Sequence, residues 1–158
     1  MITPILMERH LSRSESATIK IARNLGNSIS LPAVVCLFGD LGTGKTVFAR
    51  GLAGILGIPP SKIKSPTFTF QRRHSHGKYR FYHFDFYRVL AADDLIRTDL
   101  EEALADNNGL VVAEWAQNIA DALPPKRIDI ECRYVDEKQR EFIINFVEDD
   151  GEKIEKPA

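Results

Sequence analysis

Cysteine is scarce in this chain: Cys36 and Cys132 are the only two in 158 residues. They lack metal-ligand spacing, and each sits inside an apolar, strand-like run. Both therefore read as buried thiols, and neither suggests an oxidising compartment. Long hydrophobic runs are also missing. The opening Met1 to His10 has no basic region followed by an extended apolar stretch, and no segment is long enough to span a bilayer. The sequence thus predicts no signal peptide and no membrane association, with the cytoplasm as its place. Nor is there an excess of charge of one sign. The 21 Lys and Arg nearly balance the 22 Asp and Glu, giving a formal net charge of -1, which argues against nucleic-acid binding by bulk charge. Internal repeats, low-complexity tracts and a guanine-reading Asn-Lys-x-Asp-like string are absent. Apolar residues at 44% and charged residues at 27% are ordinary for a globular protein. The length suits one sheet-centred core and not two, so residues 1–148 read as a single domain and 149–158 as a charged, flexible tail.

What is present is concentrated in Gly39-Asp40-Leu41-Gly42-Thr43-Gly44-Lys45-Thr46. The stretch fits the phosphate-loop pattern G-x-x-x-x-G-K-[ST]. Ala33 to Phe38 before it reads as a buried strand. Lys45 to Leu56 after it carries apolar residues at helical spacing, with Gly57 placed as a C-terminal cap. Strand, glycine loop and helix form the context this chemistry requires. Glycines let successive N–H groups curl towards phosphate oxygens, and the helix N-terminus adds positive partial charge. Lys45 is placed to reach the β and γ phosphates, and the Thr46 hydroxyl to ligate Mg²⁺.

Along the rest of the chain, residues 2–7 suggest a short strand. Ser12-Arg13-Ser14-Glu15 reads as a capping box opening a helix that ends at Gly26. After Pro59-Pro60, Ser65-Pro66-Thr67 sets hydroxyls beside an apolar run. It is either a phosphate-sensing loop or a strand entrance whose hydroxyls cap backbone. Thr67–Arg73 and Lys78–Tyr87 predict a hairpin turning at Ser75-His76-Gly77. Its basic tip (Arg72, Arg73, His74, His76, Lys78, Arg80) is either simply solvated or a local site for RNA or an acidic partner. Alternation sets Phe81, His83 and Asp85 on one strand face and Tyr82, Phe84 and Phe86 on the other. An acid in so aromatic a run is costly to bury unpaired, and Mg²⁺, Lys45 or Arg88 can compensate Asp85. Asp93–Asn108 reads as helical, with a second capping box at Thr98-Asp99-Leu100-Glu101. Leu110 to Ala113 is an apolar run ending in Glu114, as expected of a buried parallel strand delivering a carboxylate to a ligand site. Arg127–Val135 and Arg140–Val147 predict a C-terminal antiparallel hairpin, on which Arg133 either lies over an adenine or is exposed.

GDLGTGKT, SPTFTF, HFDFYR and VVAEWA, in this order and in so short a chain, resemble the TsaE (YjeE) family of small bacterial ATPases needed for threonylcarbamoyladenosine in tRNA. The resemblance covers about residues 12–135. It implies an α/β P-loop NTPase fold with a mostly parallel central sheet flanked by helices. It also implies ATP or ADP with Mg²⁺, slow hydrolysis by the isolated chain, and work in a complex with TsaD and TsaB, with tRNA met indirectly through that complex. Carried over by motif, Asp40, Leu41, Gly42, Thr43, Gly44, Lys45 and Thr46 hold phosphates. Thr46 binds Mg²⁺, Thr67 matches a switch-like loop, and Asp85 and Glu114 match the family's acids. Both acids remain candidates for metal binding and for positioning the attacking water. A small-molecule kinase and a non-catalytic nucleotide-gated adaptor are the alternatives; the kinase is disfavoured because no arginine-rich lid segment follows the core.

Overall fold

Central strands that are apolar on both faces, such as Leu110 to Ala113, and helices with apolar residues every three to four positions let both sides of one sheet be covered. The computed structural model describes residues 7–65 and 69–148, and the backbone of 152–154. The strands are β1 (Met7–Ser12), β2 (Ala33–Phe38), β3 (Gln71–His76), β4 (Tyr79–Asp85), β5 (Gly109–Glu114), β6 (Arg127–Asp136), β7 (Gln139–Glu148) and β8 (Glu152–Ile154). The α-helices are α1 (Glu15–Asn27), α2 (Lys45–Ala53) and α3 (Asp94–Leu104). The sheet runs β1-β7-β6-β2-β5-β4-β3, with β8 also paired to β7. Its centre, β6-β2-β5-β4, is parallel. Its flanks are the antiparallel pairs β3–β4, β6–β7, β1–β7 and β7–β8.

Two apolar layers sandwich the sheet. On one face, Phe48, Leu52 and Ala22 of α2 and α1 pack with Val35, Leu37, Phe81, Ile130 and Phe142. On the other, Ile96, Leu100 and Ala103 of α3 pack with Tyr82, Phe84, Phe86 and Val111. The alternation read along β4 is therefore realised, with Phe81 on the first face and the other three aromatics on the second. Each large apolar chain fully withdrawn from water contributes about 1.5–3 kcal/mol. Helices α1 and α2 meet at Gly51, where an added Cβ would stand 2.6 Å from Ala22 Cβ and 2.7 Å from Ile19 O. A glycine is what lets α2 lie this close to its neighbour.

Several boundaries differ from the sequence reading. The first strand is Met7–Ser12 rather than 2–7, and residues 2–6 lie outside the described ones. It is an edge strand with half its side chains in solvent, so its apolar signal is weak. The strand runs through Ser12, and the cap of α1 is Ser14, whose hydroxyl accepts from Ala17 N at 3.0 Å. Ser12 is buried instead, sharing a hydrogen bond with Thr18 Oγ1 at 2.7 Å. Likewise Asp93 caps α3, accepting from Ile96 N at 2.9 Å, and Thr98 lies inside the helix. The first hairpin strand begins at Gln71, with Thr69 and Phe70 outside it; Thr67, where the sequence reading began it, lies outside the described residues. Within the segment expected to fray, Glu152–Ile154 pairs with Phe146–Glu148. Among the described residues no helix is long and apolar enough to cross a membrane.

Candidate functional site

The central parallel strands end on one rim of the sheet, and the candidate residues collect there. Leaving β2, the chain turns at Gly39 with φ 145°, and an added Cβ would meet Cys132 O at 2.4 Å. Gly44, with φ 95°, closes the loop and stands at the N-cap of α2. Both turns demand glycine, for space at Gly39 and for backbone conformation at Gly44. Thr43, buried, ties the loop to itself by donating to Asp40 O at 2.8 Å. Two distant residues brace it. Arg140 Nε donates to Gly42 O at 2.6 Å, and Gln117 Nε2 donates to Gly39 O at 3.2 Å.

Lys45 is largely buried. Its ammonium donates to Gly39 O at 2.8 Å and Asp40 O at 2.5 Å, and lies 4.2 Å from the centroid of the Trp115 ring. Burial lowers its pKa, opposed by the negative charges of Glu114, Asp85 and Asp40. Trp115 takes a left-handed backbone, φ 57°, directly after β5, and its ring also meets Tyr87 at 4.9 Å. A tryptophan in that conformation is strained, and it turns the chain so that the ring covers the lysine.

Thr46 is the hub. Its hydroxyl donates to Glu114 Oε1 at 2.8 Å and is 2.8 Å from Ser65 Oγ. A hydroxyl has one proton, so Ser65 is the donor of the second bond. Glu114, only 2% exposed, is held at its other oxygen by His83 Nε2 at 2.5 Å. His83 is fully buried, and among the described residues its Nδ1 has no hydrogen-bond partner. Because β4 and β5 run parallel with Asp85 opposite Glu114, the two acids stand side by side. Asp85 is half-buried, accepts from Tyr87 N at 3.0 Å, and has its pKa raised, chiefly by burial and further by Glu114.

These groups line one cavity of about 600 Å³, shared by Leu41–Val47, Ser65, Asp85, Glu114 and Trp115. Of the residues read from sequence, the loop from Leu41 to Thr46, Asp85 and Glu114 thus come together. Thr67 lies outside the described residues. Arg133 is not in the cavity wall: on β6 it is half-exposed, bonded to Glu131 at 2.8 Å and near Glu141 at 3.7 Å. Two acids within reach, Glu131 and Glu141, hold the guanidinium on the hairpin. Cys36 and Cys132 are buried, and burial pushes both thiols far up, so neither is a nucleophile. Sequence reasoning missed the bond from His83 to Glu114 and the braces Arg140 and Gln117. Alternation had put His83 on the face of Asp85, which was the only available signal.

A loop cradle between a buried parallel strand and a helix, facing a carboxylate on the adjoining strand, belongs to the P-loop NTPase fold. In three dimensions the chain is similar to the crystal structure of Bacillus subtilis YdiB, with a TM-score of 0.71, 27% identity, and 91% of this chain and 88% of that one covered. The family described as "Threonylcarbamoyl adenosine biosynthesis protein TsaE" matches residues 12–142, and the chain belongs to it. Relatives carrying the name tRNA threonylcarbamoyladenosine biosynthesis protein TsaE include that of Treponema pallidum, 35% identical over 86% of this chain and 98% of its own length. That of Rickettsia conorii is 33% identical over 83% and 74%, and that of Bacillus subtilis 36% over 72% and 70%.

Proposed function

We propose that the chain binds ATP with Mg²⁺ in this cavity, hydrolyses it slowly, and serves threonylcarbamoyladenosine synthesis on tRNA together with TsaD and TsaB, in the cytoplasm. The observation that supports this best is the Thr46 hydroxyl, bonded to Glu114 on the helix turn that follows the glycine cradle. Hydroxyl and carboxylate oxygens are hard ligands suited to Mg²⁺. Among the described residues no three His, Cys, Asp or Glu side chains cluster to hold a metal by themselves. The donor set therefore fits an ion shared with phosphate oxygens, with Thr46 as direct ligand and Glu114 behind it. When bound there, Mg²⁺ would neutralise phosphate charge.

The remaining roles fall to the chain's own groups. Loop amides and the start of α2 bind the phosphates. Lys45 exchanges the carbonyls of Gly39 and Asp40 for phosphate oxygens and stabilises the charge that develops there. Asp85 lines the cavity with one oxygen accepting from Tyr87 N, and its carboxylate orients the attacking water. Glu114 is fixed at both oxygens, by Thr46 and His83, which suits a metal-side group and not a base. Among the described residues, the cations lining the cavity are Lys45 and the exposed Arg88. With one fixed cation at the phosphates, slow turnover by the isolated chain follows.

Glu114→Gln keeps the shape but removes the charge behind Thr46. We expect the Mg²⁺ concentration for half-maximal turnover to rise on the order of tenfold, as for other groups that orient a metal ligand. An unaltered Mg²⁺ titration would remove Glu114 from the metal side. The reading as a whole is tested by phosphate release from Mg-ATP, alone and with purified TsaD and TsaB. Slow release accelerated by the partners is expected. Phosphate appearing on a small acceptor would instead identify a kinase, and release insensitive to every site substitution a nucleotide-gated adaptor.

A further inference from the structure

The net charge of -1 hides a strong separation along the chain. All 22 acidic residues lie outside residues 41–84, a stretch that carries eight of the 21 Lys and Arg. Several of the eight meet on one edge of the sheet. Strand β3 is the last in the order, so its outer side has no strand partner among the described residues. Its two faces differ. On the α3 side Arg73 is paired with Glu102 at 3.1 Å, and beside it Arg80 of β4 is paired with Asp106 at 3.2 Å.

On the α2 side, Arg72, His74 and His76 recur along one face, about 6.7 Å apart by strand geometry. The His76 ring packs on Gly57, and the His74 ring on Phe81. Lys62, exposed on the turn before β3, is close enough for its charge and that of Arg72 to act on His74. At the hairpin turn Lys78 lies over the Tyr79 ring at 5.3 Å. Lys62, Arg72 and Lys78 are exposed and carry no carboxylate partner among the described residues.

We propose that this edge, Lys62 with Arg72, His76, Lys78 and Tyr79, is a docking surface for the phosphate backbone of RNA. Clustered cations with no carboxylate partner among the described residues suit a polyanion, and an exposed aromatic beside a lysine suits a base. A protein partner would need an apolar centre. Among the described residues Tyr79, 36% exposed, is the only exposed large apolar side chain between residues 62 and 80. The surface uses no group assigned above to phosphate or metal binding, so its test is separable from the nucleotide reading.

The test is fluorescence anisotropy of a labelled, unmodified tRNA transcript titrated with the full chain across a range of salt. Wild type is expected to bind, more weakly as salt rises. The combined variant Lys62→Glu, Arg72→Glu, Lys78→Glu should lose on the order of tenfold or more in affinity near 0.1 M salt, and its salt slope should fall by about 2 to 3. A charge-matched control, Lys20→Glu, Lys126→Glu, Lys138→Glu, alters exposed lysines elsewhere and should bind within about twofold of wild type. Circular dichroism and Mg-ATP affinity, unchanged in both, exclude misfolding. No binding by wild type at low salt, equal losses in the two variants, or undiminished binding by the first would each overturn the proposal. So would binding of polyglutamate but not RNA, which would assign the edge to an acidic protein.

Discussion

Lys45→Ala is expected to abolish tight binding of Mg-ATP, with the Kd rising on the order of a hundredfold or more. Hydrogen bonds from a charged donor are worth about 1.5–3 kcal/mol each. Loss of two to neighbouring phosphates exceeds the roughly 1.4 kcal/mol that corresponds to each tenfold step in affinity. The effect on the fold is far smaller, because two terms oppose each other. Burial depresses the pKa of Lys45, so its charge is held at a cost in the folded state. The same ammonium donates to Gly39 O and Asp40 O, and in the alanine chain these keep their bonds from Gln117 Nε2 and Thr43 Oγ1. Binding is thus lost without unfolding, and calorimetric titration with Mg-ATP beside a thermal melt separates the two. An unchanged Kd would refute the assignment of the loop as a phosphate cradle.

How much of this site was legible beforehand follows the distance over which each feature is encoded. The loop is local. Gly39 and Gly44, the apolar strand before them and the helix after them are consecutive, and backbone demands alone select those residues. Glu114 was legible because an apolar run ending in an acid must either bury that acid at a site or lose it to solvent. Asp85 was legible through alternation along β4. The bond between His83 and Glu114 was not, since it depends on the register of β4 against β5, a pairing 31 residues apart in sequence. Arg140 is further still, 98 residues from Gly42. It reaches the loop only because β7 returns antiparallel to β6, which itself lies beside β2. Caps failed for a different reason: Ser12, Ser14, Asp93 and Thr98 all have capping chemistry. Which of them caps is decided by where the strand stops and the helix begins, a matter of tertiary pairing.

Asp85→Asn is the second large effect, and its two consequences run in opposite directions. Under the water-orienting role, phosphate release should fall by about 10²–10⁴ while Mg-ATP affinity changes little. Stability should rise. Burial raises the pKa of Asp85, Glu114 beside it raises it further, and only the Tyr87 amide, His83 and Lys45 favour the charge. A carboxyl whose pKa is higher folded than unfolded binds its proton more tightly in the folded chain. Its ionised form therefore costs stability in full above the raised pKa, and the cost fades as pH falls from there to the ordinary carboxylate value. The asparagine chain should melt higher at neutral pH, with the difference closing in acid. Turnover by wild type should show the same group, falling as pH drops through a pKa above the usual carboxylate range. An Asp85→Asn chain that loses binding and thermal stability together would mean the opposite balance. There the carboxylate would hold the rim of the sheet in place through Tyr87 and Lys45, and the search for the water-orienting group would move to the hydroxyl of Ser65.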